Sequence, residues 1–155
     1  MKKVLSSLLY LSIISIIAFG CSSTTEGETV VTDEGQSITK STVSVTMNEW
    51  DVKPTPNYKM GKHIKPGDLN ITLTNAGQLE HNLFVLNQSS YDDFNLLDDG
   101  TADLSEIEVL LEIDNVMPGN NGTGSISNLE PGTYAFICNV PGHYASGTVG
   151  KFIVR

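Results

Sequence analysis

Gly132-Thr-Tyr-Ala-Phe-Ile-Cys138-Asn-Val-Pro-Gly-His143-Tyr-Ala-Ser-Gly-Thr148-Val-Gly150, near the end of a 155-residue chain, is the stretch on which the fold turns. Period-two alternation puts Tyr134, Phe136 and Cys138 on one side of a strand. The two aromatic rings then belong to a core and hold the Cys138 backbone still. Pro141 and Gly142 close a tight turn, and His143 arrives five residues after the cysteine. One sulfur and one imidazole therefore sit side by side at the end of a sheet.

A second imidazole lies upstream, in Asn75-Ala-Gly-Gln-Leu-Glu-His81-Asn82. His81 opens the apolar run His81-Asn-Leu-Phe-Val-Leu86 and shares a face with Leu83 and Val85, which points its ring into the domain. Alone it reads equally well as an ordinary core histidine; beside the Cys138/His143 pair it reads as a ligand. Two neutral imidazoles and one soft thiolate make the trigonal His₂Cys geometry linked to blue copper and electron transfer. Asn82 follows His81 directly, and its amide is suited to bond the ligand loop and tie the two halves of the site together. The remaining histidine, His63, stands among Lys59, Lys62 and Lys65 and reads as exposed surface, not a ligand.

Cysteine usage supports that reading. Lys2 and Lys3 precede an apolar stretch, residues 4–19, that only serines interrupt, the pattern of a secretory signal peptide. Ala18-Phe19-Gly20-Cys21 resembles a bacterial lipobox, although leucine is usual where Ala18 stands. Cleavage there leaves Cys21 as a lipid-modified first residue. The alternative is an uncleaved anchor helix, for which the run is short against the roughly 20 residues that cross a bilayer. Residues 1–20 are thus expected to be a lipoprotein-type signal peptide, 21–41 a flexible tether rich in Ser, Thr, Glu and Gly, and 42–155 the folded domain. That domain lies outside the cytoplasmic membrane, on the periplasmic or cell-surface side. With Cys21 acylated, Cys138 is the one remaining thiol, and a lone cysteine in that compartment calls for a role other than a disulfide.

Without residues 1–20 the chain carries 7 basic and 18 acidic side chains, a net charge of −11. No Lys or Arg occurs between Lys65 and Lys151. Such a surface repels nucleic acid and suits either plain solubility or a basic protein partner drawn in by long-range attraction.

Strand patterns bounded by turn residues recur at 42–47, 68–75, 81–87, 107–113, 124–128, 132–138 and 148–154. Pro54-Thr-Pro56-Asn57 predicts a loop. Ser90 as an N-cap with Asp92 and Asp93 behind it predicts two turns of helix over residues 90–97, followed by the acidic loop Asp98-Asp99-Gly100. Half of the 18 acidic residues lie between Asp92 and Asp114, which makes this insertion either a partner-facing patch or a solvated connection. The expected fold is an all-β Greek-key β-sandwich of about eight strands with a short helical, acidic insertion.

On Asn75-Ala-Gly…His81-Asn82 and Leu129-Glu-Pro-Gly-Thr-Tyr-Ala-Phe-Ile-Cys138-Asn-Val-Pro-Gly-His143, residues 42–155 resemble the cupredoxin family of small blue (type 1) copper proteins, of the plastocyanin, azurin, auracyanin and rusticyanin kind. The resemblance implies an eight-stranded sandwich holding one copper ion, cycling between Cu(I) and Cu(II), on His81, Cys138 and His143. Relatives with this tail read Cys-x4-His-x4-Met, and here Thr148 stands at the methionine; in the shorter Cys-x4-His-x3-Met spacing Gly147 takes that place. Neither supplies a thioether. Thr148 is therefore a candidate axial residue, with Met47, Met60 and Met117 as remote substitutes.

Three classes of function follow. The first is one-electron transfer between extracytoplasmic protein partners, such as a basic cytochrome or a membrane oxidase, by a monomer on an N-terminal lipid anchor. The second is a binding or structural domain of the same fold without functional copper, which the threonine favours, or a copper-delivery protein. The third, an enzyme, is disfavoured: multicopper oxidases need many more histidines than the three present, and a dinuclear copper loop needs a second cysteine where Gly142 stands.

Overall fold

The computed structural model describes residues 28–31, 37–49 and 51–155. Nine strands follow in chain order: β1 (Glu28–Val31), β2 (Ser37–Asn48), β3 (Asp51–Thr55), β4 (Gly67–Asn75), β5 (His81–Leu86), β6 (Val109–Val116), β7 (Asn121–Leu129), β8 (Gly132–Ile137) and β9 (Val149–Val154). The helical content of the described residues is one 3₁₀ turn, Tyr58–Met60.

The first sheet runs β1-β2-β4-β7, with β3 also paired to β2, and the second runs β6-β5-β8-β9. β2 and β4 are parallel, Val43 opposite Ile71 and Val45 opposite Leu73; the other pairings are antiparallel. Alternation places Val43, Val45, Met47, Leu69, Ile71 and Leu73 of the first sheet against Leu83, Val85, Ile113, Phe136 and Phe152 of the second, all buried. Burying such side chains contributes about 1.5–3 kcal/mol each, and this one interior fixes the sandwich. Where β7 passes under β6, Gly122 and Gly124 leave room for Leu111, Ile113 and Val116. Tyr134 donates its hydroxyl to the Glu130 carbonyl at 2.9 Å, pinning the β7–β8 corner.

β5 is central, flanked by β6 and β8, and its two-sided apolar sequence has a reason. Leu83 and Val85 face the main interior. Leu86 joins Ile137 and Ala102 in a second apolar cluster, against which Phe84, Tyr91, Phe94, Tyr144 and Val149 pack. The segment after β5 thus folds back over the outside of the second sheet.

Three expectations are corrected. Residues 90–97 form no helix. Ser90 Oγ accepts the Asp92 N–H at 3.2 Å, a local turn that competes with the helical ladder. Leu96 then bridges Ala102, and Asp103 N–H reaches the Asn95 carbonyl at 2.8 Å. Pro54 lies in a strand, β3, paired opposite Val45; at a sheet edge the missing N–H costs no ladder bond. Strand pairing also begins at Glu28, with Glu28 opposite Lys40 and Val31 opposite Ser37, inside the segment expected to be tether. Backbone pairing there needs no apolar core of its own, and Thr29, Val30, Val31, Ile38 and Thr39 are all β-branched. The signal segment 1–20 and Cys21 lie outside the described residues. Among the described residues no helix is long and apolar enough to cross a membrane.

Candidate metal centre

The site forms at one end of the second sheet. β5 begins with His81, β8 ends just before Cys138, and the turn that follows carries His143. Cys138 Sγ lies 3.4 Å from His81 Nδ1 and 3.3 Å from His143 Nδ1. The ligand atoms of all three residues fall within 4.8 Å of one another. His81 and Cys138 are fully buried, whereas His143 is partly exposed. The imidazole rings sit 4.7 Å apart, centroid to centroid, tilted by 50°. His63 is exposed and away from this group.

The hydrogen bonds around the three explain why they stay together. Cys138 N–H donates to the Thr148 carbonyl at 2.9 Å, Thr148 N–H to the His143 carbonyl at 3.0 Å, and His143 N–H to the Val140 carbonyl at 2.9 Å. The loop from 138 to 148 is thus cross-tied through its own backbone. Asn82 Oδ1 accepts the Asn139 N–H at 2.6 Å, joining the start of β5 to the residue after Cys138. Asn82 N–H points at Cys138 Sγ at 3.4 Å.

Burial pushes the Cys138 thiol up from its ordinary range, against the opposing pull of the Asn82 and Val140 N–H groups. Burial holds His81 and His143 below the usual imidazole value, with His143 adding to the effect on His81 and the Glu49 carboxylate opposing it at both rings. Both imidazoles are therefore neutral where a metal needs their lone pairs. Glu49 accepts N–H bonds from Gln78 at 2.5 Å and Leu79 at 2.9 Å, and so fixes the turn that leads into His81.

This donor set fits a metal ion. Bonds of about 2.3 Å to sulfur and about 2.0 Å to nitrogen imply sulfur–nitrogen separations of roughly 3.5–3.7 Å, close to the two observed. In both histidines the nitrogen facing the sulfur is Nδ1, and His81 Nε2 is buried without a hydrogen-bond partner. Thr148 is buried, and its backbone touches both neighbours in the loop. Of the methionines, Met47 lies in the sandwich interior, while Met60 and Met117 are exposed.

Two further residues gain importance from the coordinates. Asn75, 1% exposed, donates from Nδ2 to the Leu79 and Val116 carbonyls, both at 2.7 Å, and accepts the Gly77 N–H at 2.9 Å. Asn139 makes a two-way bond with Ala102: its Oδ1 accepts the Ala102 N–H at 2.7 Å, and its Nδ2 donates to the Ala102 carbonyl at 3.1 Å. Both residues stood inside sequence motifs, but nothing local in the sequence signals partners 41 and 37 positions away.

A Greek-key sandwich with one cysteine and two histidines converging at the end of a sheet defines a blue copper protein of the cupredoxin class. Cupredoxins bind one copper, and His81, Cys138 and His143 make the candidate copper site here. The fold is similar to that of dithionite-reduced auracyanin from the photosynthetic bacterium Roseiflexus castenholzii, at 20% identity and a TM-score of 0.52, over 74% of this chain and 96% of that one. It is also similar to auracyanin B, at 20% identity and a TM-score of 0.52, over 83% of this chain and 96% of that one. Rusticyanin from Thiobacillus ferrooxidans follows at 19% identity and a TM-score of 0.50, over 75% and 77%. At these identities the likeness speaks to the fold alone. No curated protein matches the chain. The sulfocyanin (SoxE) domain matches residues 22–155, and the chain belongs to that family.

Proposed function

We propose that the protein carries single electrons between extracytoplasmic partners, with copper held by the Cys138 thiolate and the His81 and His143 imidazoles. The observation that carries this reading is the meeting of Sγ and two Nδ1 atoms at 3.3 and 3.4 Å in a largely buried pocket of the fold. Bound copper supplies the one-electron Cu(I)/Cu(II) couple. The chain supplies the frame. Full burial of His81 and Cys138 excludes water from their side of the site. The Asn82 and Val140 N–H groups hold negative charge on the sulfur. The cross-tied 138–148 loop keeps the donors in place whichever oxidation state they face. His143, partly exposed, is the edge through which electrons enter and leave.

Thr148 stands in the loop where relatives with this tail carry a methionine, and its side chain has no thioether; copper held by His81, Cys138 and His143 would then differ in spectrum and potential from a methionine-ligated centre. The partner is a basic protein, a cytochrome or a membrane oxidase, in keeping with the exposed acids Asp92, Asp93, Asp98 and Asp99 near the ligand loop. Lipidation of Cys21 anchors the monomer to the membrane, a reading supported by the sequence Ala18-Phe19-Gly20-Cys21. In this reading the protein is an electron carrier and converts no substrate.

The domain, loaded with Cu(II), is expected to show intense visible thiolate-to-copper absorption that Cys138→Ser abolishes. A folded domain that stays colourless would favour the second reading, a sandwich without functional copper, which the threonine at 148 suggests. Copper delivery predicts fast exchange with a chelator, and the buried ligands predict slow exchange.

A further inference from the structure

The segment between β5 and β6 touches the ligand loop at several points, and the contacts bracket His143. At the start of the loop, Asn139 and Ala102 exchange two hydrogen bonds at 2.7 and 3.1 Å. In the middle, Gly100 lies against Gly142, so that a Cβ at Gly100 would come within 3.1 Å of the Gly142 Cα. Beyond the histidine, Tyr144 donates its hydroxyl to the Tyr91 carbonyl at 2.7 Å, and Ala145 N–H reaches the Gly100 carbonyl at 3.3 Å. The Tyr144 ring also packs on Phe94, centroids 6.0 Å apart.

The insertion itself is anchored. Ala102 is 2% exposed and clusters with Leu86 and Ile137 on the outer face of the second sheet. Asp99 Oδ1 accepts from both the Thr101 N–H, at 3.0 Å, and the Thr101 hydroxyl, at 2.7 Å, which fixes the turn just before Ala102. Asn139 therefore has its backbone N–H bound to Asn82 and its side chain bound to Ala102. It joins three chain segments at the residue next to the sulfur.

We infer that Asn139 is a positioning residue: it latches the acidic insertion onto the Cys138–His143 loop, so that the insertion forms the outer wall of the metal site's frame. The inference rests on the reading of that loop as the metal-holding segment. A loop with no thioether ligand at its far end has one fewer internal tie to the metal, and the insertion supplies a tie from outside. The asparagine suits the task because its amide donates and accepts at once, matching both backbone polar groups of one residue, Ala102. A serine or alanine leaves the Ala102 N–H, the Ala102 carbonyl, or both without this partner.

The test uses the metal-free and copper-loaded forms of the wild type, Asn139→Ala and Tyr144→Phe. In the metal-free protein, amide hydrogen exchange is followed at Ala102, which donates to Asn139, and at His143 and Thr148, whose N–H groups tie the ligand loop internally. Asn139→Ala is expected to speed exchange at all three by about five- to tenfold, the factor that roughly 1–1.4 kcal/mol of local bonding gives. Tyr144→Phe, which removes one hydroxyl, acts in the same direction at His143 and Thr148 by a smaller factor. In the copper-loaded protein, Asn139→Ala is expected to raise the rate of copper loss to a chelator several-fold and to broaden the paramagnetic-resonance signal. Acceleration at Ala102 with His143, Thr148, copper loss and spectrum all unchanged would overturn the inference and leave the insertion a mere cover. If Asn139→Ala fails to fold, Asn139→Asp takes its place: it keeps an acceptor for the Ala102 N–H but loses the donor to the Ala102 carbonyl, and unchanged His143 and Thr148 exchange in it overturns the inference equally. A wild type that never turns blue defeats the proposed function instead, while the metal-free exchange still decides the role of Asn139.

Discussion

Replacing Asn75 by alanine tests how the fold delivers His81 to the site. The Asn75 side chain is 1% exposed and makes three hydrogen bonds, to the Leu79 carbonyl, the Val116 carbonyl and the Gly77 N–H. It thereby staples the turn before β5 to the last residue of β6. Net contributions of about 1 kcal/mol per bond sum to roughly 3 kcal/mol. The three partners do not share the loss equally. The bond to Val116 is buried, so its carbonyl is left without a partner at a cost of about 1–3 kcal/mol. Leu79 is 54% exposed, and water can reach that end of the turn. The expected loss is therefore about 2–4 kcal/mol. In urea unfolding of the metal-free domain, with a slope of about 2 kcal/mol/M, the midpoint falls by roughly 1–2 M at unchanged slope. Asn75→Asp keeps an acceptor for Gly77 but sets a carboxylate against two carbonyl oxygens, and is expected to lose at least as much. A loss under about 0.5 kcal/mol for the alanine variant, within the range of an ordinary surface substitution, would refute the claim that this side chain holds the turn.

Gly150 in β9 lies opposite Phe136 in β8, and a Cβ there meets the Phe136 ring. Gly150→Ala is thus expected to lower stability by about 1–3 kcal/mol through overpacking, seen as a drop in thermal midpoint; an unchanged midpoint counts against the tight ring contact. The lowered imidazole pKa values give the metal-free domain an acid sensitivity with a definite sign. Folded His81 and His143 bind protons less readily than the unfolded chain, whose histidines titrate near 6.5, so stability falls as pH drops below 6.5 toward the folded values. Melting midpoints measured from pH 8 to pH 5 (roughly the span in which histidine titrates) should decline on the acid side, and a flat profile would contradict the burial of these rings. Because burial pushes the Cys138 thiol up from its ordinary value, the metal-free protein favours the protonated thiol, and Cu(II) loading should release its proton. Calorimetry in buffers of differing ionisation enthalpy reads that release directly; no proton released would mean a thiolate already present.

The spacing of Cys138 and His143 was legible because turn geometry is local: a strand end, Pro141 and Gly142 leave few ways for the two side chains to lie apart. The outward and inward faces of β4, β5 and β8 were legible for a similar reason, since each residue's side follows from its neighbour's. Other features depend on partners far along the chain. The insertion was expected to be helical from Ser90, Asp92 and Asp93, yet Leu96 pairs with Ala102, and the Phe94 ring packs on Tyr144, a contact outside any local window. Pro54 argued for a loop, and only the position of β3 at a sheet edge makes it tolerable there. Asn75, Glu49 and Asn139 carry no local signal of their partners in sequence; each becomes structural because folding brings its amide or carboxylate to peptide groups of a distant segment. Backbone alternation and turn chemistry are written in adjacent residues, whereas the pairing of a side chain with a distant peptide exists only after the sheets have closed on each other.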